Sequence, residues 1–165
     1  MKSQEELISL YLNIVKKAVL HDLYREDFCI VRKAYKINNI KSIFKNLVLE
    51  LLFKNNFCLI RYKERSLEEI EEGRSWPTFA LTMIGRKRLE NIQYCAEEII
   101  KNNIQGDFIE AGVWRGGAVI FMKAIITAYN LDKKVFVADS FEGLPKPNIE
   151  KYPEDKGDEE ENHVK

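Results

Sequence analysis

A glycine-rich turn and an acidic residue at the end of a later apolar stretch are the features best suited to chemistry. The turn runs from Ala111 to Gly117, between a short apolar stretch and a long, very apolar one. A backbone with few side chains can approach a ligand closely, and the start of a following helix favours an anionic group. Asp139 ends the next apolar stretch, where a carboxylate can accept hydrogen bonds from both hydroxyls of a ribose.

The spacing of the glycines separates two classes of nucleoside ligand. Only Gly112, Gly116 and Gly117 are present, so the turn departs from the G-x-G-x-x-G pattern of dinucleotide sites. A pyrophosphate needs that tight turn, whereas a methionine carboxylate is a smaller anion that a backbone nest and a base such as Arg115 can bind. The spacing therefore favours S-adenosylmethionine over a nicotinamide dinucleotide. A structural role stays open, since the glycines can serve helix–strand packing and the acids can cap strand ends.

The elements around the turn follow a strand–helix–strand order. Residues 107–110 predict a short strand, residues 118–129 an almost wholly apolar helix, and residues 135–139 a second, buried strand. A strand–helix–strand unit implies parallel strands joined by a right-handed crossover. The predicted fold class is α/β, with an incomplete Rossmann-like parallel sheet preceded by an α-helical N-terminal region.

The first part of the chain has helical periodicity. Apolar residues recur every three or four positions over residues 4–20, and again within a lysine- and arginine-rich segment of residues 30–65 that contains a basic amphipathic helix over residues 30–56. The acidic run at residues 68–72, followed by glycine and proline, predicts a loop, and residues 86–102 predict a strong helix. We therefore divide the chain into a helical region with a basic segment (1–66) and part of a Rossmann-like domain (67–165). Two further interpretations are a non-catalytic adaptor that binds through the basic helix and self-association through the exposed apolar face of helix 4–20.

Composition excludes several classes of protein. Apolar residues make up 45% of the chain, and its 26 basic residues balance its 26 acidic ones, so bulk charge predicts no nucleic-acid partner. The three cysteines are far apart and indicate neither a disulfide framework nor a zinc site. A polar, acidic start and the lack of a long apolar run predict no signal peptide, no transmembrane segment and a cytoplasmic location.

Five motifs closely resemble the macrocin O-methyltransferase (TylF-type) family and occur in the family's order. They cover about residues 71–158, and residues 1–66 match only loosely. They are DFIEAGVWRGG at 107–117, VADSFEGLP at 137–145, GRSWP at 73–77, TMIG at 82–85 with RLENIQ at 88–93, and KYPEDKGD at 151–158.

The resemblance implies a class I, Rossmann-like enzyme that transfers a methyl group from S-adenosylmethionine to a hydroxyl of a sugar or glycosylated natural product. It also implies a cofactor site in which Asp139 binds the ribose hydroxyls, Ser140 lies beside the adenine, and Thr82 and Met83 close over the methionine end. Trp76 is a candidate lid residue. The residues expected to line the cofactor are Glu110, Gly112, Val113, Trp114 and Arg115.

The resemblance further implies a divalent metal such as Mg²⁺, whose ligands and catalytic base lie on later strands in the family. We count two strands, or three at most, where a class I sheet has about seven. We therefore expect the chain to be the N-terminal portion of such an enzyme. We expect its catalytic residues to lie downstream of Lys165, and we expect no metal ligands in this chain.

Overall fold

The computed structural model describes residues 2–23, 26–31, 39–75, 78–143 and 148–155. Five helices and four strands follow one another along these residues, with a short 3-10 helix at Pro153–Asp155. In chain order they are α1 (Gln4–Val19), β1 (Glu26–Ile30), α2 (Ile40–Lys54), β2 (Ile60–Glu64), α3 (Leu67–Glu72), α4 (Gly85–Lys101), β3 (Phe108–Ala111), α5 (Gly117–Ala128) and β4 (Val135–Ala138).

Capping residues fix the starts of the first three helices. Ser3 and Glu6 form a capping box at the start of α1, so that each side chain accepts a hydrogen bond from the other residue's backbone N–H. Asn39 caps α2 and Ser66 caps α3 in the same way. These bonds satisfy N–H groups that a helix start otherwise leaves without partners.

The hydrophobic core lies between α1, α4 and α5. Leu12 from α1, Leu89 from α4 and Phe121 from α5 are each fully buried in one cluster. The helix α5 also contacts β3 and β4. It is therefore the element that connects the helical core to the sheet, and its first turn faces the candidate site.

A partly buried ion cluster joins the end of α1 to α3 and α4. Arg86 of α4 bonds the carboxylate of Asp22, and its Nε lies 3.0 Å from the Glu71 carboxylate of α3. The side chains of Arg86 and Asp22 are 17% and 12% exposed. Arg65 adds hydrogen bonds to the backbone carbonyls of Leu20 and His21.

The strands β3 and β4 are parallel, with Phe108 opposite Val135 and Ala111 opposite Ala138. This confirms the predicted strand–helix–strand unit and the mixed α/β fold class. The prediction that the second strand is buried was wrong, because Phe136 is 52% exposed and Val137 is 41% exposed. Apolar composition alone cannot bury a strand, since each face of a parallel sheet needs another element packed on it.

Two further predictions about the first 72 residues need correction. The basic segment is not one helix over residues 30–56, because α2 covers only Ile40–Lys54 between two antiparallel strands that pair Glu26 with Glu64 and Ile30 with Ile60. The acidic run is not a loop, because it forms α3, which ends at Gly73 in the left-handed conformation (φ 69°). Trp76, the candidate lid residue, lies outside the described residues.

Candidate functional site

The glycine-rich turn and Asp139 meet at the carboxyl ends of β3 and β4. The N–H of Gly112 donates to the carbonyl of Ala138 over 2.9 Å, which extends the strand pairing by one residue. The next N–H, that of Val113, donates to Asp139 Oδ2 over 2.8 Å. The two segments singled out from the sequence therefore lie side by side.

Asp139 is held in place by backbone groups. Its Oδ1 accepts from the N–H of Phe141 over 2.9 Å. The backbone N–H groups of Phe141 and Val113 hold the pKa of Asp139 below its usual value, because they stabilise the ionised carboxylate. Each carboxylate oxygen has two lone pairs, so these bonds leave acceptor capacity for a ligand hydroxyl.

Glu110 is half-buried at the end of β3 with an unsatisfied oxygen. Its Oε2 is buried and accepts no hydrogen bond within the part of the chain that the structure describes. Burial raises the pKa of Glu110, and the backbone N–H of Val119 in the first turn of α5 offsets only part of that shift. A buried carboxylate oxygen without a partner is costly, and a cationic donor would satisfy it.

The turn itself contains strained backbone. Trp114 has a positive φ of 47°, which is costly for a bulky side chain, and Gly116 follows at 75° as the N-cap of α5. No side chain caps α5 at this residue. A Cβ placed on Gly112 or Gly116 would meet nothing within 4 Å, so the turn borders open space. Such strain is concentrated at ligand-binding sites in proteins.

Arg115 faces the segment before α4. Its Nη1 donates to the carbonyls of Thr78 and Ala80 over 2.6 and 3.1 Å. Its guanidinium also lies 4.4 Å from the centre of the Trp114 ring, which is 44% exposed. Nη1 thus donates to two backbone carbonyls of the protein, and no sequence signal predicted these partners.

The remaining predicted residues lie in three different surroundings. Thr82 is buried, and its Cβ lies against Gly117 at the start of α5. Met83 is half-buried and lines a small cavity beside Leu20 and Gly73, towards α1 and α3. Ser140 is exposed next to Asp139, and its Oγ accepts from the N–H of Glu142 over 3.3 Å.

Thr82 was predicted at the site from the sequence, but the backbone of Leu81, which covers the turn, was missed. Leu81 accepts from the N–H of Gly117 over 2.9 Å and donates to Val19 over 2.8 Å through its own N–H. The adjacent glycines at the end of the turn were the available signal, because a second glycine often marks the close approach of another backbone. Nothing in the sequence identified which backbone it was.

The described residues do not fit a metal centre. Among them, no three His, Cys, Asp or Glu side chains lie close enough together to hold a metal ion. No helix in the described ranges is both long and apolar enough to cross a bilayer.

Comparison with known proteins identifies close sequence relatives. The model of the family described as macrocin-O-methyltransferase (TylF) matches residues 8–165. Demethyldecarbamoylnovobiocin O-methyltransferase from Streptomyces niveus is 53% identical over 91 residues, which are 54% of this chain and 35% of that protein. Mycinamicin III 3''-O-methyltransferase from Micromonospora griseorubida is 49% identical over 89 residues, or 53% of this chain and 35% of that protein.

A solved structure supports the same relationship. The O-methyltransferase NovP matches with a TM-score of 0.65 and 36% sequence identity, over 95% of this chain and 53% of the NovP chain. The chain thus spans about a third of the length of the curated relatives it matches, and about half of NovP.

Proposed function

The chain belongs to the macrocin O-methyltransferase (TylF) family, and from that premise we propose that it carries the S-adenosylmethionine-binding part of an O-methyltransferase. The acceptor class we propose is a hydroxyl of a sugar or glycosylated natural product. The support for this class comes from the relatives, whose names describe O-methylation of such compounds.

The unsatisfied Oε2 of Glu110 is the observation that carries the choice of cofactor. S-Adenosylmethionine presents an ammonium group at its methionine end, and this group would satisfy a buried carboxylate oxygen. A dinucleotide would instead bring a pyrophosphate to the start of α5, where the Glu110 carboxylate would repel it. Glu110 therefore favours the methyl donor over the nicotinamide dinucleotide that the glycine spacing left open.

Asp139 supplies the second contact in this proposal. Its two backbone hydrogen bonds fix the carboxylate at the carboxyl edge of β4. We infer that it accepts hydrogen bonds from the two ribose hydroxyls, with Ser140 beside the adenine. The glycines of the turn and residues 113–115 would line the rest of the cofactor, and Thr82 and Met83 would close the methionine end.

The chemistry requires little from these residues beyond binding and orientation. The cofactor supplies a sulfonium, which is already a good leaving group, so the methyl carbon needs only an acceptor oxygen held in line with the C–S bond. The described residues provide the cofactor side of that geometry. They offer no metal site, so we derive no step through Mg²⁺. The adaptor role of the basic segment stays a prediction.

Titration calorimetry of the 165-residue chain with S-adenosylhomocysteine tests the proposal. We expect binding to wild type and a loss of at least tenfold in affinity for Asp139→Ala, because hydrogen bonds to a charged group are strong. Asp132→Ala is the matched control, since Asp132 is an exposed aspartate in the loop before β4. Wild-type affinity in Asp139→Ala would contradict the ribose role, and no heat from wild type at millimolar ligand would overturn the proposed function.

A further inference from the structure

Residues 78–82, here called the covering segment, lie over the glycine-rich turn, with buried and exposed side chains alternating from Phe79 to Thr82. Ala80 and Thr82 are buried. The N–H groups of Leu81 and Thr82 both donate to the carbonyl of Val19, over 2.8 and 3.2 Å, which anchors the segment to the end of α1. On its other side, the carbonyl of Leu81 accepts from Gly117 at the start of α5.

The side chain of Arg115 joins the glycine-rich turn to the covering segment. Its Nη1 bridges the carbonyls of Thr78 and Ala80, and its guanidinium packs on the ring of Trp114. A planar guanidinium that is hydrogen-bonded at one nitrogen and stacked on an aromatic face has little freedom to reorient. Arg115 thus links the turn that it belongs to with the covering segment.

Gly117 allows the two backbones to come this close. A Cβ at this position would lie 2.5 Å from the Leu81 carbonyl oxygen and 2.7 Å from the Cβ of Thr82. Both distances are shorter than real contacts permit, so any larger residue must push the covering segment away. Gly117 is helical, and alanine suits a helix, so the effect of Gly117→Ala would be this displacement.

We propose that Arg115 is a positioning residue, which holds the covering segment against the turn as the second wall of the cofactor site. It sets cofactor affinity through that wall, and it does not pair with the carboxylate of the cofactor. This inference rests on the proposed function, because the wall matters to affinity only if the cofactor binds at the turn.

Two ligands that differ by one group separate positioning from direct pairing. S-Adenosylhomocysteine carries the methionine carboxylate, and its decarboxylated analogue lacks only that group. We expect Arg115→Met to weaken both by the same factor, about tenfold. A loss confined to S-adenosylhomocysteine, which would bring the two ligands to similar affinities, would show direct pairing and overturn the proposal.

Three further variants test whether the lower affinity comes from displacement of the covering segment and not from a general loss of folding. Gly117→Ala should weaken both ligands as Arg115→Met does, although it leaves the guanidinium in place. Arg115→Lys should restore part of the affinity, because an ammonium can donate to one of the two carbonyls. Arg61→Met, at an exposed arginine of β2, should bind like wild type. Wild-type affinity for both ligands in Gly117→Ala would contradict a role for the wall.

Hydrogen exchange in the absence of ligand tests the positioning contact independently of the proposed function. We expect faster exchange of the Leu81 and Thr82 amides in Arg115→Met than in wild type, with the core of α5 unchanged. Unchanged exchange at these two amides would overturn the positioning role. Failure of wild type to bind either ligand would overturn the proposed function, while the exchange result would still decide whether Arg115 holds the segment.

Discussion

At the scale of single residues, the site contrasts two carboxylates in opposite environments. Backbone N–H groups lower the pKa of Asp139, whereas burial raises that of Glu110. Asp139 is thus ionised, with one backbone hydrogen bond to each oxygen, while Glu110 lacks a partner for one oxygen among the described residues. This difference suits a ligand that is neutral at its ribose and cationic at its other end.

If the cofactor binds as proposed, the raised pKa of Glu110 makes its affinity depend on pH. In the free protein, burial favours the protonated carboxyl. An adjacent ammonium favours the ionised form, so ligand binding lowers the pKa of Glu110 again. At a pH between its pKa in the free protein and its pKa in the complex, binding therefore releases a proton. We therefore expect affinity for S-adenosylhomocysteine to fall as the pH drops through this range. Calorimetry in buffers with different ionisation enthalpies measures the released proton.

Glu110→Gln separates this effect from other titrating groups. Glutamine has a similar shape but cannot ionise, so the variant should bind about tenfold more weakly at neutral pH. It should also release no proton and show no loss of affinity on acidification. If the variant keeps the acid-side loss of wild type, a different group causes it.

The position of the candidate site was predictable from the residues, but its contacts were not. Glycines after a strand and an acid after the next strand placed the turn and Asp139 together, because parallel strands align their carboxyl ends. The partner of Arg115 could not be predicted in this way. Its hydrogen bonds go to backbone carbonyls of residues 78 and 80, and any residue type provides a carbonyl.

At the scale of elements, the Arg86 cluster determines how α1 is joined to α3 and α4. Removal of the Asp22 carboxylate would leave Arg86 with the more exposed Glu71 as its partner. We expect Asp22→Ala to lower the free energy of unfolding by about 1.5–3 kcal/mol, as for a hydrogen bond to a charged group. Urea denaturation measures this change.

Glu71→Ala is the matched control for the same cluster. The Glu71 side chain is 37% exposed, so solvent screens its contact with Arg86. Its removal should cost about 1 kcal/mol or less. Equal losses in the two variants would contradict the assignment of Asp22 as the principal partner of Arg86.

Local signals explain which elements were predicted from the sequence. The helices α1, α4 and α5 have long apolar periodicity and were predicted within about two residues of their ends. The strand β1 was missed because its pairing with β2 depends on a segment some thirty residues away in the chain. The signal for α3 was present in Ser66, Glu69 and Gly73, but the glycine was interpreted as part of a loop.

At the scale of the whole molecule, stability comes mainly from the three-helix core. Leu12 is fully buried in that core, whereas Leu7 on the same helix is 56% exposed. We expect Leu12→Ala to lower the free energy of unfolding by about 2–5 kcal/mol. Leu7→Ala should change it by about 0.5 kcal/mol or less, as for surface positions. Chemical denaturation compares the two, and similar losses would contradict the placement of the core.

The ladder between β1 and β2 has a consequence for how this chain can vary. Glu26 and Glu64 are opposite each other in that ladder, so the polypeptide leaves the main body and returns to it at neighbouring points. The segment between them therefore begins and ends at adjacent points, and the short distance between its ends does not fix its length. Insertions, deletions or replacement of this whole segment can therefore be accommodated without altering the backbone on either side.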